Sequence, residues 1–259
     1  MKRSRNLEDS ASSGWRPWVF ARFWHSWSFC VVLWALLVPS SRMLGQYYEP
    51  REYAPFEGRL LSLGPLLCDF RPRPDNTTPD SAVIDFRRWM PVVGFRQGPA
   101  EVMVGYTTYS LGGRTRSMVI LSAQFSRDVP ITGKRPGALV LPVALTADFT
   151  RADGIGLERD NFNVASVGLG AGLKYRYYTA DIDFSVQVIQ AAQFSSEGIG
   201  VGGGFSALTV GNVFLALHEV LLFDGVAVGY RVRYQTWAMN ESKFNYRSFF
   251  HGPYLGIMF

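Results

Sequence analysis

The sequence predicts an all-β fold, a closed antiparallel up-and-down barrel of about ten strands. Three observations lead to this prediction. Several long segments alternate strictly between apolar and small or polar residues, which is the period of a strand with two different faces. Glycine (26 residues) and aromatic residues (15%) are abundant, as they are in β-barrels. After residue 40, no apolar run approaches the ~20 residues of a membrane-spanning helix.

The first 46 residues have the layout of a secretory signal peptide. Basic residues between Lys2 and Arg22 precede an apolar run at 29–38, and small residues follow it. An uncleaved anchor helix is the alternative, but the uninterrupted apolar run is too short to span a bilayer comfortably. We therefore expect a cleaved signal over 1–46 and a barrel domain over 47–259.

The composition argues against several other classes of protein. Charged residues are only 18% of a chain that is 47% hydrophobic, whereas disorder requires high charge and low hydrophobicity. The net charge of +5 is spread along the chain without a basic cluster, so we expect no nucleic-acid partner. Cys68 would be the only cysteine after signal cleavage. No cluster with metal-ligand spacing occurs, and we expect neither a metal nor a cofactor.

The clearest strand pair lies within 161–190. Every second position of the first strand is apolar or aromatic: Ala165, Val167, Leu169, Ala171, Leu173, Tyr175 and Tyr177. The second strand alternates in the same way from Asp181 to Val188. A very short turn at Thr179 and Ala180 would place Arg176 directly opposite Asp183 as an inward-facing ion pair.

The polar faces of these strands, and of the similar segment 226–237, would line the interior of the barrel. A turn at Asp224 and Gly225 would precede that segment. Besides the Arg176 and Asp183 pair, the residues predicted to face the lumen are Lys174, Asp181, Gln187, Arg231, Arg233 and Gln235. In a barrel of this size such side chains fill the interior, and paired charges brace it. On the apolar face, Tyr175 and Tyr177 would form part of an aromatic girdle at a membrane interface.

Segment 139–149 alternates as well, with Leu145, Ala147 and Phe149 on one face and Thr146 and Asp148 on the other. The remaining strands are less regular and are predicted over 57–70, 82–96, 101–110, 115–126, 205–223 and 250–259. Segment 205–223 is apolar on both faces and could also be a helix. The total is ten strands, with eight as the alternative.

The connections predict which end of the barrel faces outward. If the last strand ends on the inner side, short turns fall there and longer loops, including 150–160 and 239–249, fall outside. Two connections, 111–114 and 127–136, break this rule. They place the strands within 101–126 in doubt.

The end of the chain carries a resemblance to a known class. The last strand alternates and ends with Leu255, Ile257 and Phe259. Together with the signal layout and the repeated alternation, this resembles the small bacterial outer-membrane β-barrel proteins. The resemblance implies a transmembrane barrel in the bacterial outer membrane. It also implies contact with outer-membrane lipids, and assembly by a machinery that recognises these three terminal residues.

Several functions are compatible with such a barrel. The leading hypothesis is a non-enzymatic role, either structural or in surface binding through the loops at 150–160 and 239–249, with an unidentified ligand or partner. A membrane-embedded lipid hydrolase is the second hypothesis. It would use His251 at the outer rim near Ser248, but the sequence places no second catalytic group there. A narrow channel for small solutes is the third, and a soluble periplasmic β-protein is the fourth.

Overall fold

The computed structural model describes residues 59–80, 82–134, 136–155, 161–197, 202–220 and 223–259. The predicted signal peptide over 1–46 and the first residues of the predicted domain lie outside these ranges. Within them, no helix is long and apolar enough to cross a membrane.

The described chain forms ten strands and one short helix. The strands are β1 (Arg59–Pro72), β2 (Phe86–Gln97), β3 (Ala100–Leu111), β4 (Arg114–Lys134), β5 (Gly137–Ala152), β6 (Phe162–Tyr178), β7 (Ile182–Glu197), β8 (Gly203–Val220), β9 (Phe223–Met239) and β10 (Tyr246–Met258). A turn of 3-10 helix, Ser242–Phe244, lies between β9 and β10.

Each strand pairs with its sequence neighbours in antiparallel fashion, and β1 pairs with β10, which closes the ring. The predicted closed up-and-down barrel of ten strands is therefore confirmed, and the eight-stranded alternative is wrong. Following directly paired residues once around the ring leads from Arg59 back to Arg71 on the same strand. This shear of twelve residues (71 minus 59) means that the strands tilt, as closed barrels require.

The segment predicted over 205–223 is a strand. It pairs along its length with β7 and β9. Both of its faces are apolar because one contributes Phe214 and Ala216 to the interior while the other exposes Val213 and Leu215.

The doubt about the strands within 101–126 is removed by the true length of β4. That strand continues to Lys134 and pairs with β5 down to Gly137, across an irregularity between Pro130 and Thr132. The connection predicted over 127–136 is therefore mostly strand. The other unexpected connection, at 111–114, is a tight turn in which Gly112 and Gly113 have positive φ angles of 59° and 73°. Glycine adopts this conformation without steric cost.

The predicted turn at Asp224 and Gly225 is wrong, since both residues belong to β9. His218 pairs with Gly225 and Val220 pairs with Phe223, so β8 and β9 are still paired beyond the predicted turn. Gly225 is needed for a different reason. A side chain on it would press against the backbone oxygen of Leu217, 2.5 Å from the position of a Cβ atom.

The barrel has two distinguishable ends. We call the end where Arg59 pairs with Phe259 the terminal end, and the opposite one the far end. The far half of the interior is filled by an apolar cluster, the far-half core. Its members include Leu66, Phe70, Ile84, Phe86, Met90, Tyr109, Met118, Phe162, Trp237, Tyr246 and Phe250. A smaller apolar cluster lies near the terminal end and includes Phe214, Tyr254 and Met258.

Packing at Gly229 generates a first prediction. A Cβ atom on Gly229 would overlap the ring of Tyr254, which is buried and donates a hydrogen bond to Asn212 over 3.0 Å. We expect Gly229→Ala to lower the free energy of unfolding by about 1–3 kcal/mol, since overpacking a filled interior forces its neighbours to move. Urea unfolding of the refolded barrel in detergent measures this change.

Gly211 supplies the control. It also lies within a strand, but on the outer face, where a Cβ atom would have its closest contact at 3.7 Å. Gly211→Ala should leave the unfolding free energy within about 0.5 kcal/mol of the original protein. Equal stability of the two variants would contradict the packing described for Gly229.

Candidate functional site: the charged interior and the outer surface

The middle of the interior is held by a buried ion pair between β9 and β5. The guanidinium of Arg233 lies 2.7 Å from a carboxylate oxygen of Asp148, and both side chains are less than a tenth exposed. Arg233 also donates hydrogen bonds to Ser122 over 2.8 Å and to Gln235 over 2.9 Å. A buried charge is tolerated only with such compensation, so Arg233 is locked in place by three strands.

A polar network continues from this pair toward the far end. The amide of Gln193 donates to Asp148 and to Thr146, and its oxygen accepts hydrogen bonds from Gln235 and Ser206. These buried groups therefore satisfy one another across four strands, and such networks make the interior rigid.

A second ion pair lies beside the network, between Arg231 of β9 and Glu101 of β3. Arg231 also contacts the sulfur of Met103 at 3.0 Å and lies over the ring of Tyr254, 5.1 Å from its centre. The chemistry of this middle layer is therefore bracing, because each buried guanidinium has a carboxylate partner on another strand.

Near the terminal end, Arg176 and Asp183 form an ion pair with an N–O distance of 3.0 Å. They are not directly opposite, however. Arg176 pairs with Ser185 in the ladder, and Asp183 pairs with Tyr178. The predicted register was wrong because the last pair of the ladder, Tyr178 with Asp183, leaves four residues, 179–182, between the paired positions rather than two. The shift is two residues, so both side chains stay on the interior face and meet diagonally.

Of two further residues predicted to face the lumen, one faces the interior and the other does not. Lys174 faces the interior and donates to Asp128 of β4 over 2.7 Å. Asp181 is exposed in the turn, so its prediction as a lumen residue was wrong. It lies outside the ladder, where the alternation that places Asp183 inside no longer applies.

A cavity of about 60 Å³ lies between these terminal-end charges. Its polar lining includes Arg96, Glu101, Gln124, Lys174, Arg176 and Gln187. A space of this volume holds a few water molecules at most. In the described residues, no group of three or more side chains is placed to hold a metal ion.

The far-half core closes the interior above the polar network. The Phe162 ring packs edge to face against Phe70 and Trp237, with centroid distances of 5.2 and 5.0 Å. Tyr246 stacks on Phe70 at 4.9 Å. Because these rings come from strands on opposite sides of the ring, they fill the cross-section of the barrel.

The loops at the far end form an ordered cap over this core. Asn76 donates hydrogen bonds to the backbone oxygens of Lys243 and Asn245, each over 3.0 Å. Arg73 donates to the backbone oxygen of Trp237, and Asn245 donates to Asp75. The loop after β1 and the loop after β9 are therefore joined to each other, and together they present one fixed surface.

The outer surface of the barrel is apolar over most of its height. Leu169 and Leu255 are 68% and 65% exposed. Along β7, the outward positions from Ile182 to Phe194 are apolar except Gln190. About 9–11 residues of a tilted strand cross a bilayer, and this stretch is long enough to do so.

Aromatic residues lie toward both ends of this apolar surface. The predicted girdle residues Tyr175 and Tyr177 face outward at the terminal end, half exposed. A second set, which the sequence analysis did not identify, faces outward toward the far end. Its exposed members are Trp89, Tyr106, Phe194, Phe205, Tyr234 and Phe249.

The hydrolase candidate His251 lies on the outer surface, within β10 rather than at the rim. Its Nδ1 shares a hydrogen bond with the hydroxyl of Tyr230 over 2.7 Å. The suggested partner Ser248 is fully buried on the interior face. Residues three apart on a strand point to opposite faces, so Ser248 cannot act as the nucleophile beside His251.

The three predicted assembly residues share one face of β10 and its end. Leu255 and Phe259 are exposed on the outer surface, and Ile257 lies between them. Phe259 exchanges two backbone hydrogen bonds with Arg59, of 3.0 and 3.1 Å. The terminal residue thus also belongs to the seam that closes the barrel.

Sequence reasoning missed the acidic residues that pair with the basic side chains in the interior. Glu101, Asp128 and Asp148 lie on strands whose register was not predicted, so nothing linked them to the lumen arginines. The alternation did place Asp148 on the polar face of its segment. Pairing across the barrel interior, however, depends on the strand tilt, which no local pattern reveals.

No family model matches this chain, and no curated protein matches it. Among solved structures, the chain is similar to the toluene transporter TodX of Pseudomonas putida, with 9% sequence identity. The similarity covers 80% of this chain and 90% of that one, with a TM-score of 0.20. A score this low gives no basis for comparing the two proteins further.

The buried pair of Arg233 and Asp148 yields a second prediction. Asp148→Ala leaves the Arg233 charge buried without its partner, and we expect a loss of about 3–5 kcal/mol in unfolding free energy. The double variant Asp148→Leu with Arg233→Met should recover most of this loss. Urea unfolding in detergent micelles measures both.

The exposed pair of Lys243 and Glu241 is the control, with side chains 43% and 46% exposed. Glu241→Ala should change the unfolding free energy by less than about 1 kcal/mol, because water screens such pairs. The bracing role would be contradicted if Asp148→Ala were no more destabilising than Glu241→Ala.

Proposed function

We propose that this protein is a sealed outer-membrane barrel whose role is structural or surface-binding rather than catalytic or conducting. The observation that carries the proposal is the filled interior. Aromatic rings close the far half, and ion pairs between different strands brace the rest. A solute path would need a continuous opening, whereas two adjoining cavities in the described interior have volumes of only about 60 and 30 Å³.

The apolar outer surface supports a location in a bilayer. Large side chains such as Leu169 and Phe194 are mostly exposed, with no part of the described chain covering them. A soluble periplasmic β-protein would leave this area in contact with water, where apolar patches of such extent are rare. Aromatic residues at both ends of the apolar surface are typical of membrane barrels.

The connections support an orientation with the far end outside. At the terminal end, the turns 98–99, 135–136 and 179–181 are short. At the far end, the connections 73–85 and 153–161 are longer, although the turn at Gly112 and Gly113 is not. Short turns on the periplasmic side and long outer loops are the usual asymmetry.

A surface-binding role would use the cap formed by the loops after β1 and β9. Hydrogen bonds between Asn76, Lys243 and Asn245 fix the shape of this surface. A fixed surface loses little conformational entropy on binding a partner. The loop predicted at 239–249 contributes to the cap, whereas much of the one at 150–160 lies outside the described residues.

The sealed interior predicts the behaviour of the protein in a planar bilayer. We expect the inserted barrel to give no stepwise current, because no aqueous path passes the far-half core. Protection of the strands from added protease verifies insertion in the same preparation. Discrete conductance steps from the protease-protected protein would refute the sealed barrel and favour the narrow channel.

The C-terminal seam predicts two separable effects on assembly. Deleting Phe259 removes its ring and the two backbone hydrogen bonds with Arg59, whereas Phe259→Ala removes only the ring. If assembly machinery reads the terminal aromatic ring, both variants should insert several-fold more slowly in cells. Pulse-chase appearance of the protease-protected form measures the rate. Normal insertion of Phe259→Ala, with slow insertion of the deletion, would assign the effect to the seam alone.

A further inference from the structure

Three arginines lie side by side on the outer surface at the far end. They are Arg71 of β1, Arg87 of β2 and Arg247 of β10, and we call them the arginine rim. The register places Arg71 directly across from Arg247, and Asp69 directly across from Arg87. All three arginines are exposed, whereas the residue immediately before each of them is buried in the far-half core.

The charges of the rim are only partly balanced. Arg71 donates a hydrogen bond to Asp69 over 2.6 Å and lies 4.0 Å from Asp85. Within the described chain, neither Arg87 nor Arg247 has a carboxylate within 4.0 Å. Like charges directly across a strand pair are destabilising. The arrangement therefore favours an anion that can be shared by two guanidinium groups.

The position of the arginine rim along the barrel axis indicates which kind of anion it could bind. Two positions closer to the terminal end, on the same faces of β2 and β10, are the exposed rings of Trp89 and Phe249. Exposed Leu and Val side chains continue the same surface below them. Aromatic side chains sit at the headgroup level of a bilayer, so the guanidinium groups just beyond them reach the level of the phosphates.

We propose that the arginine rim binds the phosphate groups of a phosphorylated lipid in the leaflet facing the far end. Arg87 and Arg247 contact the phosphates, and Asp69 orients Arg71 between them. Guanidinium groups bind phosphate in bidentate geometry. The acyl chains of the lipid lie on Trp89, Phe249 and the apolar surface below, which a soluble phosphate could not use. This site rests on the bilayer location and orientation proposed above.

The test compares two pairs of outward-facing arginines in the full chain folded in a zwitterionic detergent. Arg87→Gln with Arg247→Gln removes the unpaired charges of the rim. Arg59→Gln with Arg127→Gln is the matched control, since these exposed arginines lie toward the terminal end and have no carboxylate within 4.0 Å among the described residues. The probes are diphosphorylated lipid A, the same lipid after enzymatic dephosphorylation, and inorganic phosphate.

Lipid A should bind the original protein and the control pair with similar affinity. The rim variant should bind it about 30-fold more weakly, at roughly fivefold for each arginine near an anionic headgroup. Dephosphorylated lipid A should bind all three proteins equally weakly. Inorganic phosphate at the same phosphate concentration should not displace lipid A.

Three results would overturn the proposal. They are unchanged lipid A affinity in the rim variant, an equal loss in the control pair, and full displacement by inorganic phosphate, which would indicate a site for a free anion. All three concern a barrel that has folded in detergent, and they leave its membrane location intact. A protein that stays soluble without detergent and binds no lipid would instead overturn the proposed function together with the site.

Discussion

Closure of the sheet by the pairing of β1 with β10 is the constraint on which the rest of the structure depends. A sheet edge exposes unpaired backbone N–H and C=O groups, and hydrocarbon offers them no partner. Once ten strands close with a shear of twelve residues, every second side chain must point inward into a narrow interior. The closure therefore dictates an interior that side chains can fill, and the apolar exterior fits the bilayer location proposed above.

The interior is filled by two layers of side chains along the barrel axis, one aromatic and one charged. Aromatic rings such as Phe162 and Trp237 fill the far half, where their rings meet from opposite strands. Arg231 and Arg233 fill the middle, and each meets an acidic residue that the strand tilt brings close. Because each of these two arginines has an acidic partner on another strand, the polar layer braces the ring. Under the proposed function, a partner would therefore contact the outer surface of the barrel or the cap rather than its interior.

Local patterns predicted the fold well and the contacts less well. Alternation in segments such as 165–177 revealed the strands and their faces, because the period of two is a local property. The direct pairing of Arg176 with Asp183 was predicted from a turn judged two residues too short. Asp224 and Gly225 were predicted to form a turn, but both belong to β9, where Gly225 packs closely against Leu217. The acidic partners and the arginine rim depend on shear and register, which join residues far apart in sequence.

Heat-dependent mobility of the protein from purified outer membranes on a denaturing gel tests the central claim most directly. A closed barrel without edges resists detergent, so unboiled protein should migrate faster than boiled protein. A closed membrane barrel should give that faster band, in the outer-membrane fraction. A single band with no shift, from protein recovered in the soluble fraction, would contradict the membrane barrel and place the apolar surface in some other contact.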